Sequence, residues 1–351
     1  MADTMDIAFP FTALQLSTSV NRIPNNYGLL NALGLFPSEG SVSTIVEITI
    51  EDGTIRVLPA KERGASGTSN DRVAPKKLWV EVPHFPMQDL ITPRDIQNVL
   101  VTDGRTRQPN TLDRELAKRL FTIRNKHSIT LEWMRMGALK GLVTDGNADT
   151  LIDLYSFFGI TKLTLDFLLG TAGTDIISLC DQLRQSIDTN LKGEVRTRIE
   201  VLVSSSFFNK LIQHPKVEKY WVNWQAAGQL ANPSLIKAGG QYGRVFEFQQ
   251  IVWREYYGTA PVATGGAGTA LVSTPFVPVD YGYAYPSGTM NMFETWNAPA
   301  NDIRVVNEPG QDIWISPKVL DHGEGVELKS QSNCLAIVKR PEALVEVHTS
   351  N

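Results

Sequence analysis

Five histidines, two cysteines and a scatter of carboxylates are the groups in this 351-residue chain that could do chemistry, and their spacing gives them little to work with. His84, His127, His214, His322 and His348 share no spacing that would bring two imidazoles onto one metal ion. The chain holds no Gly-x-Ser-x-Gly elbow, no His-Glu-x-x-His helix and no phosphate loop ending in Gly-Lys-Ser/Thr. Asp145-Gly146-Asn147-Ala148-Asp149 begins like a calcium loop, but Thr150 stands where such a loop needs glycine and Ser156 where it needs a bidentate glutamate. A hairpin turn is the better reading. Gly265-Gly266-Ala267-Gly268-Thr269 could cradle a phosphate if a helix began there, yet Leu271-Val272-Ser273-Thr274-Pro275 has no helical period, so the run reads as a loop. Tyr281, Tyr283 and Tyr285 form one aromatic face of an extended segment and lack the basic groove that base stacking requires. Glu324 and Glu327 read as an exposed acidic turn. His127 falls on the apolar stripe of a long helix, which predicts a hydrogen-bonded packing role. Cys180 and Cys334, beside Leu179 and Leu335, read as small buried hydrophobes. No catalytic, cofactor or metal constellation emerges.

Composition narrows the field further. Lys and Arg total 33 against 37 Asp and Glu, a net charge of -4, whereas a dedicated nucleic-acid binder carries a basic excess. At 42% hydrophobic and 20% charged residues the chain suits a folded protein, and at about 150 residues per domain its length suggests two to three units. Met1-Ala2-Asp3-Thr4-Met5-Asp6 is acidic and does not read as a secretory signal. No apolar run reaches the roughly 18 residues of a membrane helix. Residues 60–77 carry five basic and two acidic side chains, residues 302–346 five basic and eight acidic. Opposite-sign patches on one chain favour contacts between identical copies.

The elements that must position these residues can be read from period and punctuation. Residues 1–41, broken by Pro10, Pro24 and Pro37, form an irregular arm with room for one short helix around Tyr27 to Leu33. Val46, Ile48 and Ile50 alternate with polar residues as a strand, and Asp52-Gly53 turns it into Thr54 to Leu58. A polar excursion from Lys61 to Arg72 and a further strand from Lys77 to Val82 follow, which together suggest an arm reaching toward a neighbour. From Asn110 to Gly141, Leu112, Leu116, Leu120, Ile123, His127, Leu131, Met134 and Ala138 recur at spacings of three and four. Asn110 is the expected cap and Gly141 the expected stop. Such a helix is about 45 Å long, a brace for an extended domain, and it carries seven Lys/Arg against three Asp/Glu. Beyond it a mixed α/β module is expected: a strand from Thr161 to Leu169, a helix from Thr174 to Leu191, a strand from Arg198 to Val203, a capped helix from Ser205 to His214 and a strand from Val245 to Trp253. Residues 261–274 read as a loop, and Glu327 to Val347 as two strands separated by Pro341.

Several short runs then resemble one known family in order along the chain. Thr130-Leu131-Glu132-Trp133-Met134-Arg135-Met136-Gly137-Ala138-Leu139-Lys140-Gly141 is similar to the end of the long helix in the phage lambda-type major capsid protein E family. Tyr155-Ser156-Phe157-Phe158-Gly159-Ile160 resembles its aromatic-Gly segment. Ser206-Phe207-Phe208 with Leu211 and His214-Pro215, then Glu255-Tyr256-Tyr257-Gly258, then Asn297-Ala298-Pro299-Ala300-Asn301-Asp302 follow in the family's order. Gln331-Ser332-Asn333-Cys334-Leu335 and Arg340-Pro341-Glu342 resemble its closing strands. Tyr257 stands where the family pattern has Arg, and Cys334 where it has Pro.

The resemblance implies an α+β protein of the Hong Kong 97-type fold. Its parts would be an N-arm over 1–41, an E-loop hairpin over 42–92, a P-domain over 93–172 with a spine helix at 111–141, an A-domain over 173–318, and return strands to the P-domain over 319–351. The implied function is that of a tailed-phage major capsid protein, a non-enzymatic structural chain assembling as hexamers and pentamers into an icosahedral shell around double-stranded DNA. The expected localisation is the virion capsid, assembled in host cytoplasm. Expected partners are other copies of the chain, a separate scaffolding protein, a portal and a decoration protein, with DNA touched only weakly and no membrane. Lys61, Arg63, Arg72 and Lys76 of the E-loop are the candidates for contacts with acidic patches of a neighbour. Arg114, Lys118, Arg119, Arg124 and Lys126 of the spine helix are the candidates for a basic face toward the shell interior. A cellular nanocompartment shell of the same fold, enclosing protein cargo, is the nearest alternative. A soluble α/β enzyme with unlinked carboxylates around His214 is the more distant one.

Overall fold

The computed structural model describes residues 10–23, 28–50, 76–97, 100–103, 106–109, 111–231, 243–263 and 268–351. The Asp52-Gly53 turn, Thr54 to Leu58, the excursion from Lys61 to Arg72, Asn110 and Gly265 to Ala267 lie outside the described residues.

The arm holds two helices where one was expected. Helix α1 (Ala13–Arg22) is closed by a capping box in which Thr12 and Gln15 each accept the other's backbone N–H. It buries only Ala13, Leu16, Ser17 and Val20, a stripe so diluted by Ser, Thr and Asn that its period is hard to see. Helix α2 (Leu29–Leu33) and the short strand β1 (Ser38–Gly40) follow. Strand β2 (Ile45–Ile50) pairs antiparallel with β3 (Lys76–Glu81), so the strand expected beyond the polar excursion is the described partner. Val46, Ile48 and Val80 face the core, as alternation requires. Next come β4 (Phe85–Ile91), the single turn α3 (Pro93–Ile96), and the hairpin β5 (Leu100–Asp103) to β6 (Thr106–Pro109).

Helix α4 (Leu112–Lys140) is the long helix read from the sequence, capped by Thr111, whose hydroxyl accepts the Arg114 N–H, and ended by Gly141 at φ 82°. The hairpin β7 (Leu142–Thr144) to β8 (Thr150–Asp153) turns at Asp145, whose Oδ1 accepts the N–H of Asn147 and Asp149. Backbone thus occupies the carboxylate that a calcium loop would use. Then follow α5 (Leu154–Phe158), β9 (Leu163–Asp166), α6 (Ile176–Asn190), β10 (Arg198–Val203), α7 (Ser205–Gln213) and α8 (Glu218–Ala231), the last not anticipated. The single strand expected from Val245 to Trp253 is two, β11 (Val245–Phe248) and β12 (Ile251–Glu255), because Gln249 and Gln250 both take positive φ and reverse the chain. The loop expected at 261–274 is largely a hairpin of β13 (Thr259–Ala263) and β14 (Leu271–Pro275). Strands β15 (Tyr281–Ser287), β16 (Phe293–Asn297) and β17 (Trp314–Val319) lead to the tail. There β18 (Val326–Ser332), β19 (Cys334–Val338) and β20 (Val345–His348) make three strands instead of two.

Three sheets of three or more strands organise the described elements, beside four two-stranded hairpins. A six-stranded mixed sheet runs β11-β12-β10-β15-β20-β9, with β12/β10 and β20/β9 parallel. The second sheet is β1-β16-β19, and the third is the antiparallel β17-β18-β4. Helix α4 crosses two hydrophobic cores. Its first half contributes Leu116, Leu120 and Ile123 to a small core with Leu16 and Val20 of α1 and Ile315 and Leu328 of the third sheet. Its second half contributes Met134, Met136, Ala138 and Leu139 to the large core around the six-stranded sheet. There Phe167, Phe207 and Trp253 pack with ring centroids 5.5–5.9 Å apart. A helix of about 44 Å that serves two cores at its two ends is the physical meaning of its length.

Candidate assembly surfaces

Two charged residues of the second half of α4, Glu132 and Arg135, do not face water. Glu132 is 1% exposed and its carboxylate accepts the Leu30 N–H at 2.8 Å, the Asn31 N–H at 3.3 Å and the Tyr256 hydroxyl at 2.9 Å. Burial pushes its pKa up, against the pull of those hydrogen bonds and of Arg135. Gly28 packs so closely that a Cβ there would lie 2.3 Å from the Glu132 carboxyl carbon. One turn on, Arg135 donates to Thr295 Oγ1, Asn31 Oδ1 and the Phe36 carbonyl, each at 3.3 Å. This pair therefore fastens the arm (α2 and the segment to β1), the residues after β12, and β16 onto one face of α4. The available signal was a charge at the apolar spacing: Ser128, Glu132, Arg135 and Leu139 share a face, and all four are buried.

A second junction holds the loop after β16. Asn297 donates to Ser38 Oγ at 2.8 Å and to Asp312 Oδ1 at 2.9 Å, while Asn333 donates to the Pro299 carbonyl at 2.6 Å. Asp302 accepts from Trp314 Nε1 at 3.0 Å and from the Arg304 Nε at 2.9 Å of its other oxygen, which holds its carboxyl well below the usual range. His214 Nδ1 accepts the Lys216 N–H, so its Nε2–H is free to donate to the Thr171 carbonyl at 3.2 Å. His214 thus caps α7 and, among the described residues, gathers no carboxylates. His127 bonds Ser330 Oγ at 3.1 Å, and burial beside Arg124 and Lys126 lowers its pKa to about 4. Burial pushes the Cys180 and Cys334 thiols up to about 12 and about 11.

The residues proposed for contacts fall in different places. Lys61, Arg63 and Arg72 lie outside the described residues, and Lys76 opens β3. On α4, Arg114, Lys118 and Lys126 are exposed. Arg119 is tied to Glu115 at 2.9 Å, Asp89 at 3.3 Å and Asp95 at 3.6 Å. Arg124 is buried, 9% exposed, with Asp312 Oδ2 at 3.8 Å. Part of the acidic excess at 302–346 is spent inside the chain: Asp302 on Arg304, Glu342 on Lys192, Glu346 on Lys162. Glu308, Asp321 and Glu324 remain exposed. Exposed apolar residues are a surface that sequence reasoning missed. Ile45 and Trp79 sit on the outer face of the β2–β3 hairpin at 52% and 62% exposure, beside the Lys77–Glu47 ion pair. Ile303, at 92%, stands out from the loop after β16. Among the described residues no cluster of three His, Cys, Asp or Glu side chains could hold a metal, and no helix is long and apolar enough to cross a membrane.

Comparison with known proteins supplies the context for these surfaces. Residues 12–349 match the family model described as phage major capsid protein E. The chain is 31% identical over 367 residues to the major capsid protein of Salmonella phage Felix O1 (isolate Felix O1-VT1), covering 96% of each chain. It is 30% identical over 349 residues to the major capsid protein of Pseudomonas phage KPP10, again covering 96% of each. Among solved structures, a prophage protein of Escherichia coli CFT073 described as a capsid protein aligns with a TM-score of 0.60 at 12% identity, over 98% of this chain and 100% of that one. The capsid structure of cyanophage P-SCSP1u aligns with a TM-score of 0.53 at 14% identity, over 90% of this chain and 87% of that one. These two likenesses support the fold.

Proposed function

The chain belongs to the phage major capsid protein E family, and from that premise we propose how it builds the shell of a tailed phage. Its function is that of a major capsid protein. The observation that carries the mechanism is the two-core helix α4, to whose second half Glu132 and Arg135 lock the arm. A rigid strut with fastened ends can transmit load between subunits, while the paired strands β2 and β3 offer an outer face to a neighbour.

In this reading residues 1–41 are the N-arm, 42–92 the E-loop, 93–172 the P-domain with its spine helix at 111–141, 173–318 the A-domain, and 319–351 the return strands. Copies assemble as hexamers and pentamers. The E-loop cations Lys61, Arg63, Arg72 and Lys76 seek carboxylates of an adjacent copy, and the exposed Asp321 and Glu324 between β17 and β18 are suited to receive them. Ile45 and Trp79, too apolar to remain in water, add buried area to the same contact. Arg114, Lys118 and Lys126 form the basic face toward packaged DNA; Arg119 contributes less because its charge is engaged by Glu115, and Arg124 because it is buried. A net charge of -4 keeps that contact weak. A separate scaffold and a portal complete assembly in the host cytoplasm, and a decoration protein is a further partner of the outer surface.

The test is the variant with Lys61, Arg63, Arg72 and Lys76 all changed to Ala, expressed with the scaffold and run on a sedimentation gradient. Shell yield should fall at least tenfold while subunits stay folded by circular dichroism. Wild-type shell yield would remove the E-loop from the account.

A further inference from the structure

The spine helix, the α2–β1 segment and the strands of the tail enclose a small polar pocket of about 200 Å3. Arg124, Arg135, His127, Ser128, Ser332 and Asp312 are in its wall. Two guanidinium groups therefore share one pocket, and they differ in how they are satisfied. Arg135 donates to three acceptors of the chain. Arg124 is 9% exposed, its Nε has no hydrogen-bond partner, and its nearest carboxylate oxygen, Asp312 Oδ2, is 3.8 Å from Nη1, beyond hydrogen-bond reach. Asp312 cannot move closer without loss, because its Oδ1 accepts from Asn297 and from Ser38. His127 offers Arg124 no acceptor charge, being occupied with Ser330.

A guanidinium this buried, with an Nε that has no partner, is costly unless something fills the space in front of it. The fork of Arg matches two oxygens of a tetrahedral oxyanion; Glu132 acts on the Arg135 charge, while Arg124 has only Asp312 near it and no hydrogen bond to it. We propose that this pocket binds a phosphate-class oxyanion gripped by Arg124, and that the anion pins the spine helix to the arm. The chemistry is the same whether the phosphate is free in solution or belongs to a nucleic acid terminus. The inference stands on the pocket and does not need the capsid reading.

The experiment is equilibrium dialysis of the full-length chain, as capsomers or shells, against labelled inorganic phosphate at ionic strength fixed with chloride. The expected result is saturable uptake of one phosphate per chain, displaced by sulfate and not by chloride. Arg124→Gln should weaken uptake at least tenfold, Arg124→Lys, which keeps the charge and loses the fork, should weaken it by a smaller factor, and Lys219→Gln, an exposed cation on α8, should leave it unchanged. Addition of a short duplex carrying 5′-phosphates separates the sources: competition assigns the site to nucleic acid ends, and its absence to the free anion. No saturable uptake by the wild-type chain, or uptake indifferent to Arg124→Gln, overturns the proposal and leaves water as the occupant. If Arg124→Gln fails to fold, the wild-type chain still decides. Phosphate should raise its melting temperature where chloride at equal ionic strength does not, and no difference between the two salts contradicts the site.

Discussion

Replacing Glu132 with Ala should release the arm from the spine helix. In the native chain the carboxylate satisfies two backbone N–H groups, of Leu30 and Asn31, and the Tyr256 hydroxyl, at a site only 1% exposed. Each donor left without an acceptor costs about 1–3 kcal/mol, so three such groups set an upper range near 9 kcal/mol. Relief offsets part of this, because burial of the carboxylate is itself unfavourable and its pKa is raised accordingly. A net local loss of about 3 kcal/mol is a sober expectation, equal to roughly a hundredfold change in an opening equilibrium. Hydrogen exchange read by mass spectrometry on peptides covering residues 28–36 measures that opening directly. Glu132→Ala should exchange there about a hundredfold faster than wild type, and Tyr256→Phe, which removes one donor and orphans none, only about tenfold or less. If Glu132→Ala left exchange within threefold of wild type, the carboxylate would not be what holds the arm, and the reasoning from buried donors would fail.

Other consequences follow from the same packing. Burial lowers the His127 pKa to about 4 from the 6.5 of a free imidazole, so its stabilising effect is complete above pH 6.5 and is lost as pH falls through 4, a swing of about 3 kcal/mol. Urea unfolding of the unassembled chain at pH 7 and pH 4.5 should show a smaller acid-side loss for His127→Gln than for wild type. A Cβ at position 137 would meet the Leu142 carbonyl at 2.8 Å and Val143 Cα at 3.0 Å, both backbone, so Gly137→Ala should destabilise by about 1–3 kcal/mol in the same assay. Cys180 and Cys334, buried with raised pKa values, should not react with a thiol reagent at pH 8 until the chain is unfolded. Trp79→Ser should leave the melting temperature of the subunit within a degree or two and lower shell yield, since the indole is 62% exposed in the single chain.

The sequence made α4 legible because apolar residues recur at spacings of three and four from Leu112 to Ala138, and β10 because Ile199, Val201, Leu202 and Val203 make a short apolar run rich in β-branched residues. Alternation likewise exposed β2. Elements whose burial is completed by distant partners were harder to see. Helix α1 buries four residues against a sheet nearly 300 positions away, with Ser17 accepting the Ile315 N–H. Helix α8 leaves Tyr220, Val222 and Trp224 substantially exposed, so its pattern has no clear face. The turn at Gln249-Gln250 lacks the glycine that usually announces positive φ, which fused two strands into one. The junction at Glu132 joins residues more than 100 positions apart, and spacing alone says nothing about such a partner. Charge counting misled for a related reason, since Asp302, Glu342 and Glu346 are consumed by cations of the same chain. The runs that carried the family resemblance are in large part these junction residues, including Glu132, Arg135, Tyr256, Asn297 and Asn333.

The central claim is that this chain builds a closed shell, and negative-stain electron microscopy of the expressed chain with its scaffold tests it most directly. The account predicts closed, uniform particles together with capsomers. A small, discrete oligomer that persists in the presence of scaffold would contradict it.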